Sequence, residues 1–240
     1  MTHTEEGVYP SDINFLSRGG AILDRKHRPP DCIRTVETPE GLANITEPAT
    51  ELVILGRSLP CEFKEWLERL DASQLPHLRI LIEPDELRAA IEPHFHNCGM
   101  ASGEMQDLLI GDIEALVSAF SAVAQSSLVD VRLDSISHDA CWKFHRDTVE
   151  TRLLITYRGP ATEWVLPEHA ARALREQKKF KGPIERLRDH DVALFKGSEA
   201  GTGRGIVHRS PSIVGTGCTR LLLCLNLPSD VSPEQYSKHP

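Results

Sequence analysis

The sequence predicts an α+β protein in which a mainly helical N-terminal part packs on a C-terminal jelly-roll barrel. Apolar residues recur at helical spacing in the first half of the chain, most extensively from Glu104 to Ser126. From Leu128 onward, apolar and polar residues alternate in short runs, which is the pattern of half-buried strands. About seven such runs separated by turn signals are typical of a sandwich or a jelly-roll barrel.

The domain organisation follows from the same change of pattern. A chain of 240 residues suits one large domain with an extension. Gly19-Gly20 and Pro29-Pro30 interrupt any periodicity near the N-terminus, which indicates irregular structure there. The expected segments are an irregular N-terminal arm over 1–40, a mainly helical part over 41–127, the barrel with its candidate site over 128–228, and a C-terminal tail over 229–240.

Individual elements can be placed by periodicity and by helix-start signals. The predicted helices are Cys61–Leu70, a helix beginning at Pro84, Glu104–Ser126, and a basic helix from about His169 to Lys179. The predicted strands are Leu52–Leu55, His77–Ile82, Val129–Ile136, Trp142–Thr148, Arg152–Tyr157, Thr162–Val165, Asp191–Phe195, Gly205–His208 and Thr219–Asn226.

Composition limits the classes of function. Lys+Arg 27 against Asp+Glu 35 gives a net charge of −8, which argues against a dedicated nucleic-acid binder. The basic stretch from Arg172 to Arg188 is interleaved with acids and lacks repeated aromatic residues for base stacking. No signal peptide and no run of about eighteen apolar residues is visible, so no membrane span is expected. Six cysteines without a C-x-x-C pair predict reduced thiols in a cytoplasmic protein.

A candidate metal site lies in the predicted β half. His145 and Asp147 are two residues apart, and on a strand both side chains would point to the same face. His208 follows another predicted strand and would complete a set of two histidines and one carboxylate. This set binds iron in mononuclear non-haem Fe(II) oxygenases, where it leaves metal positions open for a 2-oxo acid and dioxygen.

A candidate anion site follows the distal histidine. Arg220 heads the apolar run that ends at Leu225, and on a strand it would share a face with Leu222 and Cys224. A guanidinium among apolar neighbours needs a partner, which would be either a bound carboxylate such as that of 2-oxoglutarate or an internal aspartate or glutamate. The hydroxyls of Thr156 and Tyr157 could assist in binding an organic acid, while core packing is the other interpretation of Tyr157.

Several other residues are weaker candidates. The run His94-Phe95-His96-Asn97-Cys98 contains zinc-type donors, but a fourth ligand at recognisable spacing is missing, and a helix end or loop is the favoured interpretation. Cys141 would be a soft ligand if the metal were zinc, and is otherwise a small apolar residue. The remaining candidates are Arg152, His190, Arg209 and Ser210.

The chain closely resembles a bacterial family catalogued by its domain of unknown function 1826, from about Gly41 onward. That family has no established activity to carry over. The motifs that carry the resemblance are Phe144-His145-Arg146-Asp147, Arg152-Leu153-Leu154, Thr156-Tyr157-Arg158-Gly159-Pro160, Thr162-Glu163-Trp164, Val192-Ala193-Leu194-Phe195-Lys196-Gly197 and His208-Arg209-Ser210-Pro211.

A more distant resemblance, over about residues 129–227, is to the double-stranded β-helix (cupin-like) of Fe(II)/2-oxoglutarate-dependent dioxygenases. It implies that His145, Asp147 and His208 bind iron and that Arg220 anchors 2-oxoglutarate. The expected function is therefore an oxygenase that hydroxylates an unknown, small-molecule or other, substrate. Two alternatives remain open: a non-enzymatic zinc-binding protein, and a cupin-like module that binds a small carboxylate through Arg220 without a metal. The sequence does not indicate the substrate or the oligomeric state.

Overall fold

The computed structural model describes residues 31–201 and 205–237 of the chain. Within these ranges the protein combines helices with a large, mostly antiparallel sheet and a second, smaller sheet. The helices are α1 (Cys61–Arg69), α2 (Leu87–Asn97), α3 (Glu104–Ala124) and α4 (Pro167–Glu176). The strands are β1 (Ile33–Val36), β2 (Leu52–Leu55), β3 (Leu78–Ile82), β4 (Val129–Ile136), β5 (Thr151–Arg158), β6 (Glu163–Trp164), β7 (Glu185–Arg186), β8 (Val192–Lys196), β9 (His208–Arg209) and β10 (Arg220–Asn226).

The large sheet has seven strands in the order β1-β2-β8-β5-β10-β4-β3. All neighbouring strands in it are antiparallel except β1 and β2, which run parallel. The small sheet has the order β7-β6-β9. Because β10 pairs with both β4 and β5, it lies well inside the large sheet, with its backbone groups bonded on both sides.

Alternation along the strands gives the large sheet two different faces. Leu153 and Ile155 of β5 belong to the main core cluster, which also contains Phe63 of α1 and Phe120 of α3. Leu154, between them in sequence, belongs instead to a second cluster. That second cluster also holds buried side chains of the small sheet, including Trp164. We call the face toward the helices the helical face, and the opposite one, which bears Leu154, the front face.

A β-bulge changes this alternation at one end of β5. In the pairing of β5 with β10, Thr156 faces Leu222 but the next β5 residue in register, Arg158, faces Leu221. Tyr157 is the extra residue, and as a result both Tyr157 and Arg158 contact groups on the helical side. The bulge therefore leaves Thr156 as the last front-face residue of β5.

Most predicted elements agree with the structure to within a few residues, including β2 and β4, whose bounds are as predicted. The described strands form two separate sheets and not a closed barrel, so the jelly-roll architecture remains a prediction. Residues 1–30 of the predicted arm lie outside the described ranges, and the end of that arm contains β1, which was not expected. None of the described helices has the length and apolarity needed to cross a bilayer.

The predicted strand Trp142–Thr148 is wrong, because only His145 in this segment makes a strand-type bridge. The reason lies in the partners of the neighbouring backbone groups. The side-chain amide of Gln177 donates to the carbonyl of Phe144 at 2.9 Å and accepts from its N–H at 2.9 Å. A side chain thus satisfies backbone groups that a neighbouring strand would otherwise bond.

Candidate metal centre

His145 and His208 are brought together by their main chains. The N–H of each residue donates to the carbonyl of the other at 3.0 Å, which forms an isolated antiparallel bridge beside the small sheet. Directly opposed residues of such a pair carry their side chains on the same side. The two imidazole rings accordingly lie with their centroids 4.5 Å apart.

Asp147 is positioned by the loop that follows β8. The N–H and the hydroxyl of Ser198 both donate to the carbonyl of Asp147, at 2.9 and 3.2 Å. The close approach depends on Gly197, since a Cβ atom at that position would lie 2.1 Å from the carbonyl oxygen of Val149. The segment that carries the carboxylate is therefore fixed against the end of a central strand.

The three side chains form a compact donor group. One donor atom from each of His145, Asp147 and His208 lies within 4.8 Å of the others. Asp147 Oδ1 is 3.5 Å from His145 Nε2, and Asp147 Oδ2 is 3.4 Å from His208 Nε2. In the described part of the chain this is the one such group of three or more potential metal ligands. The sequence prediction that these residues meet agrees with this geometry.

Hydrogen bonds set which nitrogen carries the proton in each neutral ring. His145 Nδ1 lies 2.8 Å from the carbonyl oxygen of Lys143, and His208 Nδ1 lies 3.2 Å from that of Ile206. A carbonyl accepts only, so each Nδ1 must carry the proton and each Nε2 is left with a lone pair in the neutral ring. Both lone pairs belong to the nitrogens nearest Asp147, which is the arrangement found in metal-binding histidines.

The Asp147 carboxylate has one satisfied and one unsatisfied oxygen. Arg152 Nη1 pairs with Oδ1 at 2.7 Å. Oδ2 is buried without a hydrogen-bond partner, and it is the one such side-chain atom in the described ranges. A buried carboxylate oxygen without a partner is costly, and a metal ion at the centre of the three donors would satisfy it. The residues present therefore fit a divalent metal ion.

The pKa values follow from burial and from these contacts. Burial lowers the pKa of His208 to about 4, so its imidazole is neutral at physiological pH. Burial alone would raise the pKa of Asp147, but the hydrogen bond with His145 and the nearby charges outweigh it and hold that pKa below its usual value. The same hydrogen bond with Asp147 raises the pKa of His145. One carboxylate and one neutral imidazole are thus in the form that binds a metal ion.

Arg220 lies on the front face of β10 and is 1% exposed. Its guanidinium donates to the carbonyl of Pro160 at 2.9 Å, to the hydroxyl of Ser210 at 2.6 Å and to that of Thr156 at 3.2 Å. No aspartate or glutamate of the described residues forms an ion pair with it, and burial lowers its pKa to about 10. Sequence analysis allows either a bound carboxylate or an internal aspartate or glutamate as the partner of Arg220. Among the described residues no such internal partner contacts it.

The backbone at Gly159 makes room for this arginine. Gly159 has φ +80°, and a Cβ there would lie 2.9 Å from Cγ of Arg220. Any other residue would combine backbone strain with a clash against the Arg220 side chain.

Tyr157 does not belong to this site, contrary to the sequence prediction. Its side chain lies on the helical face, where its hydroxyl donates to Asp112 Oδ2 at 2.6 Å and its ring packs edge-on against Phe63. Asp112 also forms a buried ion pair with Arg57. The β-bulge and the alternation of β5 place only Thr156 of the two hydroxyl residues beside Arg220.

The weaker candidates divide between the site and the rest of the molecule. Arg152 and Ser210 lie in the site, through their contacts with Asp147 and Arg220. Arg209 pairs with Glu163 instead, and His190 lies behind the sheet, 3.2 Å from the carbonyl of Tyr157. Ser210 also donates its N–H to the carbonyl of Cys141, whose exposed thiol is not part of the donor group.

The run from His94 to Cys98 forms the C-terminal end of α2. Both of its histidines are exposed, and the thiol of Cys98 contacts the carbonyls of Gln74 and Phe95 at 3.1 Å each. These donors do not join the metal-type group of the described residues.

Two residues of the site were missed in the sequence. Asn226 accepts a hydrogen bond from Arg152 Nε at 2.6 Å, and Phe195 packs against His208 with ring centroids 4.7 Å apart. Alternation gives a signal for Asn226, since it lies an even number of positions after Arg220 on the same strand. The contact of Phe195 depends on how the small sheet packs on the large one, which local sequence does not encode.

Comparison with protein families gives one match, to the family described as "Protein of unknown function (DUF1826)", over residues 36–226. This match covers most of the chain. The protein belongs to that family. The match includes every residue of the site described above, and no curated protein matches the sequence.

Solved structures similar to this chain include two oxygenases. The dioxygenase for auxin oxidation 1 from Arabidopsis thaliana, in a complex with 2-oxoglutarate, matches with a TM-score of 0.48 at 13% identity, over 85% of this chain and 95% of its own. A prolyl-4-hydroxylase from Pseudomonas putida matches with a TM-score of 0.39 at 12% identity, over 78% of this chain and 97% of its own. The chemistry of the present site is argued below from its own residues.

Proposed function

We propose that this protein is an Fe(II)- and 2-oxoglutarate-dependent oxygenase. One observation carries the proposal: a three-donor group with an unpartnered buried carboxylate oxygen shares its side of the large sheet with a buried arginine that has no carboxylate partner in the described chain. The first feature fits a divalent metal ion, and the second fits an organic anion. Two neutral imidazoles and one carboxylate are the donor set of non-haem iron oxygenases.

The protein residues have separate tasks in this proposal. His145, His208 and Asp147 would hold Fe(II) through Nε2, Nε2 and Oδ2, and would leave its remaining positions open. Arg220 would bind the distal carboxylate of 2-oxoglutarate, with the hydroxyls of Ser210 and Thr156 beside it. Bound there, iron and 2-oxoglutarate would supply the activation of dioxygen for hydroxylating a substrate. The jelly-roll architecture predicted from the sequence suits such a site between two sheets.

Burial makes the anion site selective. Thr156, Ser210 and Arg220 are all nearly inaccessible to solvent, so a carboxylate that reaches them loses its hydration. Charge-assisted hydrogen bonds must offset the free energy of that desolvation. A ligand without a carboxylate at that end would leave the guanidinium buried and unpaired. We therefore expect discrimination between 2-oxoglutarate and 2-oxo acids that have an apolar end.

The test is anaerobic reconstitution with Fe(II), followed by addition of 2-oxoglutarate and a search for a visible metal-to-ligand charge-transfer band. The proposal requires a band that disappears in His208→Ala and weakens or shifts in Arg220→Met. Arg188→Met, which removes an arginine outside the site, is the control and should keep the band. Tight zinc without any chromophore after iron reconstitution would contradict the proposal and favour a zinc-binding protein. Binding of 2-oxoglutarate with no metal dependence would favour a carboxylate-binding module.

A further inference from the structure

Arg152 is the residue of the centre whose role the proposed function does not explain. Its guanidinium reaches Asp147 Oδ1 at 2.7 Å through Nη1 and Asn226 Oδ1 at 2.6 Å through Nε. The arginine, which belongs to β5, is therefore held between Asn226 of the neighbouring strand β10 and the carboxylate of the donor group. Its side chain is 24% exposed, so its charge is only partly screened by solvent.

The charges of the centre nearly cancel without a metal ion. Asp147 is the acidic residue of the donor group, and Arg152, which pairs with it at 2.7 Å, offsets its negative charge. Arg220 adds a further positive charge that no carboxylate of the described residues balances. A divalent ion bound to the three donors would therefore enter a site whose carboxylate is already paired, and repulsion from Arg152 would weaken its binding.

We propose that Arg152 makes metal binding at this centre depend on a bound anion, so that a divalent ion binds weakly alone and tightly together with a chelating dianion. The inference rests on the proposed function for the nature of the metal ion and the dianion. Arg152 offsets the charge of Asp147, so the positive charge of the metal ion is left without compensation. A dianion bound beside the metal ion and Arg220 supplies the missing negative charge. Because coupling between two ligands is reciprocal, the metal ion strengthens anion binding by the same factor.

Two substitutions separate this charge effect from loss of the hydrogen bonds. Arg152→Gln and Arg152→Lys both remove the guanidinium that contacts Asp147 and Asn226 together, but only the lysine keeps the charge. Each variant is titrated with Mn(II), and the loss of the free-ion electron paramagnetic resonance signal gives the affinity, with and without 2-oxoglutarate. We expect Mn(II) alone to bind the glutamine variant about ten-fold more tightly than the lysine variant. 2-Oxoglutarate should tighten Mn(II) binding by a smaller factor in the glutamine variant than in the lysine variant.

A matched control comes from the same side of the sheet. Arg132 of β4 is opposite Cys224 of β10 and pairs with Asp134 at 2.6 Å, and its side chain is 53% exposed. Arg132→Gln removes one positive charge without touching Asp147, and solvent screening should keep Mn(II) affinity within about two-fold of wild type. The circular dichroism spectrum and melting temperature of every variant verify folding.

The outcomes distinguish this inference from the proposed function. Glutamine and lysine variants with equal Mn(II) affinity, or tighter binding by the lysine variant, would overturn the role of Arg152 and leave the metal site standing. A wild-type protein that binds no Mn(II) even with 2-oxoglutarate, or a His208→Ala variant that binds it normally, would overturn both.

Discussion

His145 and His208 exchange both of their backbone hydrogen bonds at 3.0 Å, so pairing of the main chains brings the two imidazoles together. The rings take no part in this bridge. Their Nδ1 atoms face the backbone carbonyls of Lys143 and Ile206, two residues before each histidine. The pair is therefore orientated before any metal ion binds, which reduces the ordering cost of binding.

Replacing His208 with alanine should abolish stoichiometric metal binding while the fold survives. The bridge to His145 uses backbone atoms only, so the loss of stability should be limited to the buried ring, about 2 kcal/mol. Metal analysis after reconstitution and a thermal melt measure the two effects. His94→Ala, at the exposed end of α2, is the control. Full metal content in the His208 variant would remove that residue from the donor group.

His208 should make the metal-free protein sensitive to acid. Burial lowers its pKa to about 4 from 6.5, so between these values the unfolded chain takes up a proton that the folded chain does not. The free energy of unfolding is therefore unaffected by this histidine above pH 6.5. It falls as the pH is lowered toward 4, by about 3 kcal/mol in all. Urea unfolding at several pH values, with a chelator present, should show a shallower acid loss for His208→Gln. Equal pH dependence for both proteins would contradict this.

Thr156 and Tyr157 offer a matched pair, because each substitution removes one hydroxyl from neighbouring residues on opposite faces of β5. Thr156→Val should weaken 2-oxoglutarate binding several-fold, since the hydroxyl lies 3.2 Å from Arg220 Nη2. Tyr157→Phe should leave that affinity unchanged and cost about 1.5–3 kcal/mol of stability, because its hydroxyl bonds a buried carboxylate. Calorimetric titration of the metal-loaded protein and denaturant unfolding test the pair. The reverse pattern would restore Tyr157 to the site.

Arg220→Met should strongly weaken 2-oxoglutarate binding with little loss of stability. The substitution removes three hydrogen bonds, but it also removes a buried charge that has no carboxylate partner in the described chain. Replacing a buried charge with an apolar side chain of similar size is often neutral or stabilising, so we expect a change within about 1 kcal/mol. Chemical denaturation measures this change in stability. Arg57→Met is the contrast, because it leaves the buried carboxylate of Asp112 without its ion-pair partner. A large destabilisation by Arg220→Met would indicate a structural arginine.

Much of the fold could be predicted from the sequence because its signals are local. The alternation of Val129–Ile136 and the helical spacing of Glu104–Ala124 each fix an element without reference to the rest of the chain. The failures come from distant partners. Gln177 takes the place of a neighbouring strand beside Phe144. Strand β1 forms by parallel pairing with β2, and its own four residues carry no signal of that pairing.

The candidate site shows the same division. His145, Asp147 and His208 could be chosen from residue type and spacing, although the predicted strand around the first two is wrong. Tyr157 was misplaced because strand alternation puts it on the opposite face from Thr156, and the bulge at Tyr157 cannot be read from the sequence. Asn226 was missed because it contacts the donor group only through Arg152, although its position on the strand gives the face it lies on.

Strand β10 carries both ends of the site. Arg220 begins it and Asn226 ends it, and the six-residue interval keeps both side chains on the front face, about 20 Å apart along the strand. Insertion or deletion of a single residue between them would turn one of the two side chains toward the helices. Either Arg220 would then leave the candidate anion site, or Asn226 would no longer hold Arg152 beside Asp147. The length of this strand should therefore tolerate far less variation than the loops at either side of it.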